Sequence, residues 1–221
     1  MLAGEVDTVV NAGANVGYYC LHALQLGKHV IAFEPVPLNA AVLLKNIFAN
    51  GWQENAEVFP IALGERPGIL PLYGGGTGAS LIKGWAGFHP GKPTLVPVSS
   101  LDAVLNDKLA GSKVLVLIDI EGFEYDLLKG AKKLLAMEPR PLWMVEIVST
   151  EHQPSGRAKN PNFLPTFELF WQHGYEAYGI GKEIKLITEE TVRAHGDAIK
   201  KGLCSANFIF IHKTSRHRVK A

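Results

Sequence analysis

Cysteine is scarce in this sequence, with two among 221 residues, Cys20 and Cys204. They stand far apart inside apolar segments, which excludes a disulfide scaffold and any zinc-ligand spacing and reads as reduced core thiols of a cytosolic protein. An excess of charge is also lacking: 22 Lys and Arg oppose 21 Asp and Glu, for a formal net charge of +1. That balance produces no field that would gather nucleic acid or an anionic membrane, so the expected partner is a small, roughly neutral molecule. Long apolar runs are missing too. None reaches the ~20 residues needed to cross a bilayer, and residues 1–10 hold no basic segment leading into an apolar one, so a cytoplasmic location is expected.

What is present is a chain 47% hydrophobic and 19% charged, enough to bury one sizeable core, so residues 1–221 are expected to form a single domain. Short β-branched runs at 6–12, 28–33, 56–63, 114–118, 142–148, 176–180 and 206–212 read as strands, with helical patterns between most of them. Leu127, Leu128, Ala131, Leu134 and Leu135 recur at the spacing of one helix face, with Glu124 and Asp126 in the first turn, where the helix dipole favours acids. Such alternation predicts an α/β fold with a doubly wound, mostly parallel sheet that binds ligands outside the carboxyl ends of its strands. Two stretches break the rhythm. Residues 64–100 hold Gly74, Gly75, Gly76, Gly78, Trp85 and Phe88 and read as an irregular or hairpin insertion; residues 149–165 are polar, proline-punctuated and placed like a lid or a plain solvent loop.

Three strand ends carry chemistry. The first runs into Gly13, Ala14, Asn15, Val16 and Gly17, a turn whose glycines let a ligand approach the backbone, or simply a tight turn with Asn15 near the helix N-cap. The second ends in Phe33, Glu34 and Pro35, about twenty residues on, where an acid can take both hydroxyls of an adenosine ribose. Aligning a dinucleotide glycine pattern on Gly13 places Asn15 and Tyr18 where the second and third glycines belong, which counts against a pyrophosphate ligand. S-adenosylmethionine has no phosphate and needs neither glycine. The third is the end of the fourth strand, which carries Asp119 and Glu121, two acids costly to bury unless they bind a cation or share a proton. Glu124 is expected to serve only the helix start, and Glu146, flanked by apolar residues in the fifth strand, suits a structural or a site role equally. No metal site is expected.

The strings VVNAGANVGYY, VIAFEPVPLNAAVLLKNI, AEVFPIALGE, LIDIEGFEYDLLKGA and WMVEI occur in this order and resemble the FkbM-type family of S-adenosylmethionine-dependent methyltransferases. The similarity covers about residues 6–147, with a weaker echo at 207–211, and its most distinctive part is the Asp-Ile-Glu-Gly-Phe-Glu string at 119–124. The resemblance implies a Rossmann-like class I sheet of seven strands, the last antiparallel. It also implies a cofactor cradle of Asn11, Gly13, Ala14, Asn15 and Gly17 extending to Pro35 and Ala62, the ribose on Glu34, and Asp119 at the methyl end with Glu121 close behind. Members typically O-methylate natural products and sugars.

The chain departs from the family in carrying Asn11 where Asp is usual and Leu117 where Lys is frequent. Asn11 is expected to point at the methionine part of the cofactor as a neutral acceptor. The chain also starts almost at its first strand, so the roof over the substrate would come from a partner subunit, in a monomer-or-homodimer assembly, or from the 64–100 insertion. For a hydroxyl acceptor the candidate bases are Asp119, Glu121 and Glu146, then His152; replacing Glu34 with Ala is expected to weaken cofactor binding and leave the fold intact. N-methylation of an amine or peptide, a cofactor-binding protein without catalysis, and a nicotinamide oxidoreductase stand as alternatives.

Overall fold

β-Branched residues fit a pleated, packed surface, and the first such run, Thr8–Ala12 (β1), is a strand buried along its whole length. The computed structural model describes residues 5–87, 91–181, 184–197 and 206–215. The chain continues through α1 (Tyr18–Gln25), β2 (His29–Phe33), α2 (Pro37–Ala49), β3 (Ala56–Phe59), β4 (Ala62–Leu63), β5 (Gly68–Leu72) and β6 (Thr94–Ser99). Then follow α3 (Leu101–Leu105), β7 (Val114–Ile118), α4 (Glu124–Lys129), α5 (Lys132–Ala136), β8 (Leu142–Glu146) and α6 (Phe163–Gln172). The last elements are β9 (Tyr175–Ile180), β10 (Ile184–Ile187), α7 (Glu189–Asp197) and β11 (Asn207–His212). Cys204 and Phe88 lie outside the described residues.

The main sheet has the order β10-β9-β11-β8-β7-β1-β2-β3. Strands β3, β2, β1, β7 and β8 are mutually parallel, and β11 runs antiparallel to both β8 and β9. Period-two alternation along the parallel strands separates two cores. Val10, Ala12, Ile31, Phe33, Val116 and Ile118 face one layer with Leu127, Leu128, Phe167 and Phe170. Val9, Val30, Ala32, Leu115 and Leu117 face the other with Cys20, Leu24, Leu43 and Ile47 of α1 and α2. Both faces are therefore covered, as a parallel sheet requires. From β1 the chain winds outward in one direction to β2 and β3 and later in the other to β7 and β8, so a crevice opens where the winding reverses, at the carboxyl ends of β1 and β7.

Five details differ from or sharpen the sequence reading. Eight strands, not seven, form the sheet among the described residues, because the short exposed run Ile184–Ile187 pairs with β9 at the edge. The run 56–63 is two strands in two sheets: Pro60, which has no N–H to give a ladder, separates β3 from β4. The 64–100 insertion is ordered around a three-stranded sheet, β4-β6-β5. The helix expected through 124–135 is two helices broken at Gly130, where a Cβ would meet the Gly64 carbonyl oxygen at 2.4 Å. The irregular loop after β8 ends at Asn162, and Pro165 lies in the first turn of α6, where no intrahelical N–H is lost.

Candidate active site

A cavity of about 330 Å³ opens at the carboxyl ends of β1, β2 and β7. Gly13 makes the turn out of β1 at φ +83°, and the backbone of the neighbouring strand passes so close that a Cβ there would sit 1.8 Å from the Asp119 carbonyl oxygen. Only glycine fits. The Gly13 and Ala14 amides both donate to the Phe33 carbonyl at 3.0 Å, and the Asp119 amide donates to the Ala12 carbonyl at 3.1 Å, which ties the three strand ends together. Gly17, at φ +102°, is the N-cap of α1, and Asn15 sits before it in the left-handed region at φ 51°.

Glu34, 4% exposed, closes one end of this cavity. Its Oε2 accepts from the Asn15 amide at 2.7 Å, while Oε1 accepts from the Val36 amide at 2.8 Å and from Asn39 Nδ2 at 3.4 Å. Burial pushes this carboxyl upward, against the lowering effect of those donors. A carboxylate offers about four lone-pair sites, so acceptor capacity remains on the cavity side.

At the other end are acids. Asp119 and Glu121 line the cavity, with Glu146 behind Asp119 and Glu124 beneath them. Glu146 is pushed up to about 8, first by burial and then by the charge of Asp119 and a hydrogen bond with it. Glu124, wholly buried and accepting from the Gly122 amide at 2.9 Å, is pushed up to about 7, mainly by burial. Glu121 takes Trp85 Nε1–H on its Oε2 at 2.7 Å, with His152 Nδ1 at 3.8 Å from the same oxygen. Burial and then the Asp119 charge raise the phenol of Tyr19, which also lines the cavity. Among the described residues, none that lines the cavity is Lys, Arg or His.

A family model described as the methyltransferase FkbM domain matches residues 11–177. The chain belongs to the FkbM methyltransferase family. Among solved structures, this FkbM chain is similar to an FkbM methyltransferase from Methylobacillus flagellatus, at 18% identity and a TM-score of 0.54 over 93% of its length. It spans 43% of that longer chain. It is also similar to an O-methyltransferase from Bacillus cereus solved with SAH, at 12% identity and a TM-score of 0.51, covering 95% of this chain and 74% of that one. At these identities the likeness establishes the methyltransferase α/β fold. No curated protein was found to match in sequence.

Within the FkbM domain, the cavity brings together Gly13, Ala14, Asn15, Glu34, Pro35, Ala62, Asp119 and Glu121 of the residues singled out from sequence. Asn11, Gly17 and Glu146 do not line it. Asn11 is 2% exposed, and its Nδ2 donates to Cys20 Sγ at 3.3 Å on the α1 face of the sheet, because its place in β1 alternates with those of Val10 and Ala12. Sequence reasoning missed Tyr18 and Tyr19, which follow the glycine turn directly, and Leu72, Thr77, Ala79 and Leu81 of the insertion, all in the lining. The tyrosines had a readable signal, since the first turn of a helix after such a glycine turn faces the strand ends. The insertion residues had none. Among the described residues, no helix is long and apolar enough to cross a membrane and no acid, His or Cys group is arranged to hold a metal ion.

Proposed function

We propose that this domain is an S-adenosylmethionine-dependent O-methyltransferase acting on a hydroxyl of a small molecule, sugar or natural product. The observation that carries this reading is one cavity with a buried acid, Glu34, placed for a ribose at one end and Asp119 in the lining at the other, with the raised carboxyl of Glu146 behind it. The residues present fit the cofactor. The Gly13 turn leaves no side chain over the strand ends, Glu34 keeps acceptor capacity, and the volume lies at the lower bound of ligand sites, about 300–1,000 Å³.

S-adenosylmethionine, when bound, supplies a methyl group already activated by a sulfonium charge. The chain then has to orient the acceptor and receive a proton. Glu34 would hold the ribose hydroxyls beside Pro35, with Ala62 and Phe33 supplying apolar walls. Asp119 is exposed, lines the cavity and can receive the hydroxyl proton, with the raised carboxyl of Glu146 behind it. A general base within hydrogen-bond reach contributes ~10²–10⁴-fold. The insertion contributes Leu72, Thr77, Ala79 and Leu81 to the cavity wall, which supports the 64–100 segment as the source of a substrate roof. The balanced net charge of +1 supports a small acceptor rather than nucleic acid or an anionic membrane; a cytoplasmic monomer or homodimer is part of the same proposal.

The acids Asp119 and Glu121 in the lining favour, as a second reading, an amine-bearing acceptor and N-methylation. Incubation with methyl-labelled S-adenosylmethionine and a panel of hydroxylated and amine acceptors separates the two. Label in an ether product supports O-methylation, label on nitrogen supports the second reading, and a folded protein that binds no cofactor overturns both.

A further inference from the structure

The insertion and the loop 149–162 meet over Glu121. Trp85, 3% exposed, lays its indole against Gly122 so closely that a Cβ on that glycine would fall 2.4 Å from the ring, and it donates Nε1–H to Glu121 Oε2 at 2.7 Å. His152 approaches the same oxygen at 3.8 Å and stands edge-on to the indole, with ring centres 6.0 Å apart. The Ala86 amide donates to the His152 carbonyl at 2.8 Å, and Ser80 Oγ donates to the Glu121 carbonyl at 2.6 Å.

Glu121, Ala86 and His152, from three separate segments, all lie in the left-handed region, at φ 57°, 52° and 62°. Residues with side chains persist there only when their surroundings over-determine them, and such strain gathers at functional sites. Here the surroundings are the three segments themselves, joined at one carboxylate oxygen of a residue that also lines the cavity.

We propose that Trp85 and His152 are positioning residues that act through Glu121, clasping the insertion and the loop 149–162 together at the acceptor end of the cavity and so deciding which acceptors reach Asp119. With its oxygen committed to this clasp, Glu121 is a holder rather than a base. The clasp rests on the methyl-transfer reading only in naming an acceptor.

Hydrogen exchange of the whole chain tests it. Trp85→Phe keeps the ring and removes the donor, and exchange should rise about tenfold or more in both 79–87 and 149–157, the factor implied by losing a charge-assisted hydrogen bond. His152→Ala should do the same in both segments, while 13–16 stays protected in each variant. Faster exchange confined to the segment that carries the substitution overturns the clasp. Should Trp85→Phe fail to fold, Glu121→Gln, which keeps a carbonyl acceptor, must protect both segments and Glu121→Ala must release both; identical behaviour of the two refutes the proposal. In turnover, Trp85→Phe should raise the acceptor KM about tenfold and change the Kd of demethylated cofactor less than about twofold. Absence of cofactor binding in the parent protein would remove the methyl-transfer reading and leave the exchange result to judge the clasp.

Discussion

Replacing Glu34 with alanine removes the acceptor of three hydrogen bonds at once. The Asn15 and Val36 amides, at 2.7 and 2.8 Å, lose their partner, and Asn39 Nδ2 keeps only the Gly76 carbonyl at 2.9 Å. Each buried donor left unpaired costs ~1–3 kcal/mol, and because Asn15 and Val36 are only partly buried the lower part of that range applies. The two together should cost roughly 2–4 kcal/mol, a large share of a typical total of roughly 5–15 kcal/mol. These bonds predict a measurable loss of stability, where the sequence alone predicts an intact fold. Glu34→Gln retains one acceptor oxygen and should lose about half as much. Urea denaturation measures this, and titration with S-adenosylhomocysteine well below the midpoint should show binding weakened by a further ~1–3 kcal/mol. An alanine variant that unfolds like the parent would refute the bonding described. One that is folded and binds equally well would refute the ribose seat.

Glu146→Gln should flatten the pH dependence of stability. A carboxyl whose folded pKa exceeds its unfolded value binds an extra proton in the fold, so its stabilisation is full below about 4.5 and is lost as pH rises through about 8. The parent's melting temperature should thus fall over that window; the glutamine variant, which mimics the protonated acid, should melt like the parent at the acid end and higher at the alkaline end, and an unchanged slope would contradict the raised Glu146 carboxyl. Gly13→Ala should cost ~4 kcal/mol or more in denaturant, since its Cβ would lie 1.8 Å from the Asp119 carbonyl; a parent-like midpoint would refute the turn. Asn11→Asp should not tighten cofactor binding, because the side chain faces Cys20 outside the cavity; it should destabilise the apo protein by ~3–5 kcal/mol, the range for an uncompensated buried charge. Calorimetry and thermal melts together check this, and tighter binding in a folded variant would place Asn11 at the cofactor after all.

The parallel strands were legible because their side chains alternate between two apolar faces; Val9 and Val10 already belong to different cores. Glu34 was legible from its place just after β2, and the Gly13 turn from its strand-to-helix setting. Pro60 carried the break between β3 and β4 in plain view, as a residue without an N–H inside a strand pattern. The break at Gly130 was not readable, since it is decided by contact with Gly64 and Ser100 across the fold, and a local helix pattern carries no trace of such a neighbour. Trp85 was equally hidden: an aromatic in a glycine-rich insertion has no periodicity, and its partner Glu121 lies 36 residues away. Asn11 was placed on the right strand and given the wrong neighbour, because its direction depends on the alternation with Val10 and Ala12 rather than on its nearness to the strand end.

The proposed chemistry requires that S-adenosylmethionine occupy the cavity between Glu34 and Asp119. Calorimetric titration of the chain with S-adenosylmethionine, S-adenosylhomocysteine and NAD tests this most directly. Saturable one-site binding of the first two, weakened in Glu34→Gln, with no heat from NAD, is the predicted result. A folded protein that binds neither adenosyl ligand, or that binds NAD in their place, would contradict it.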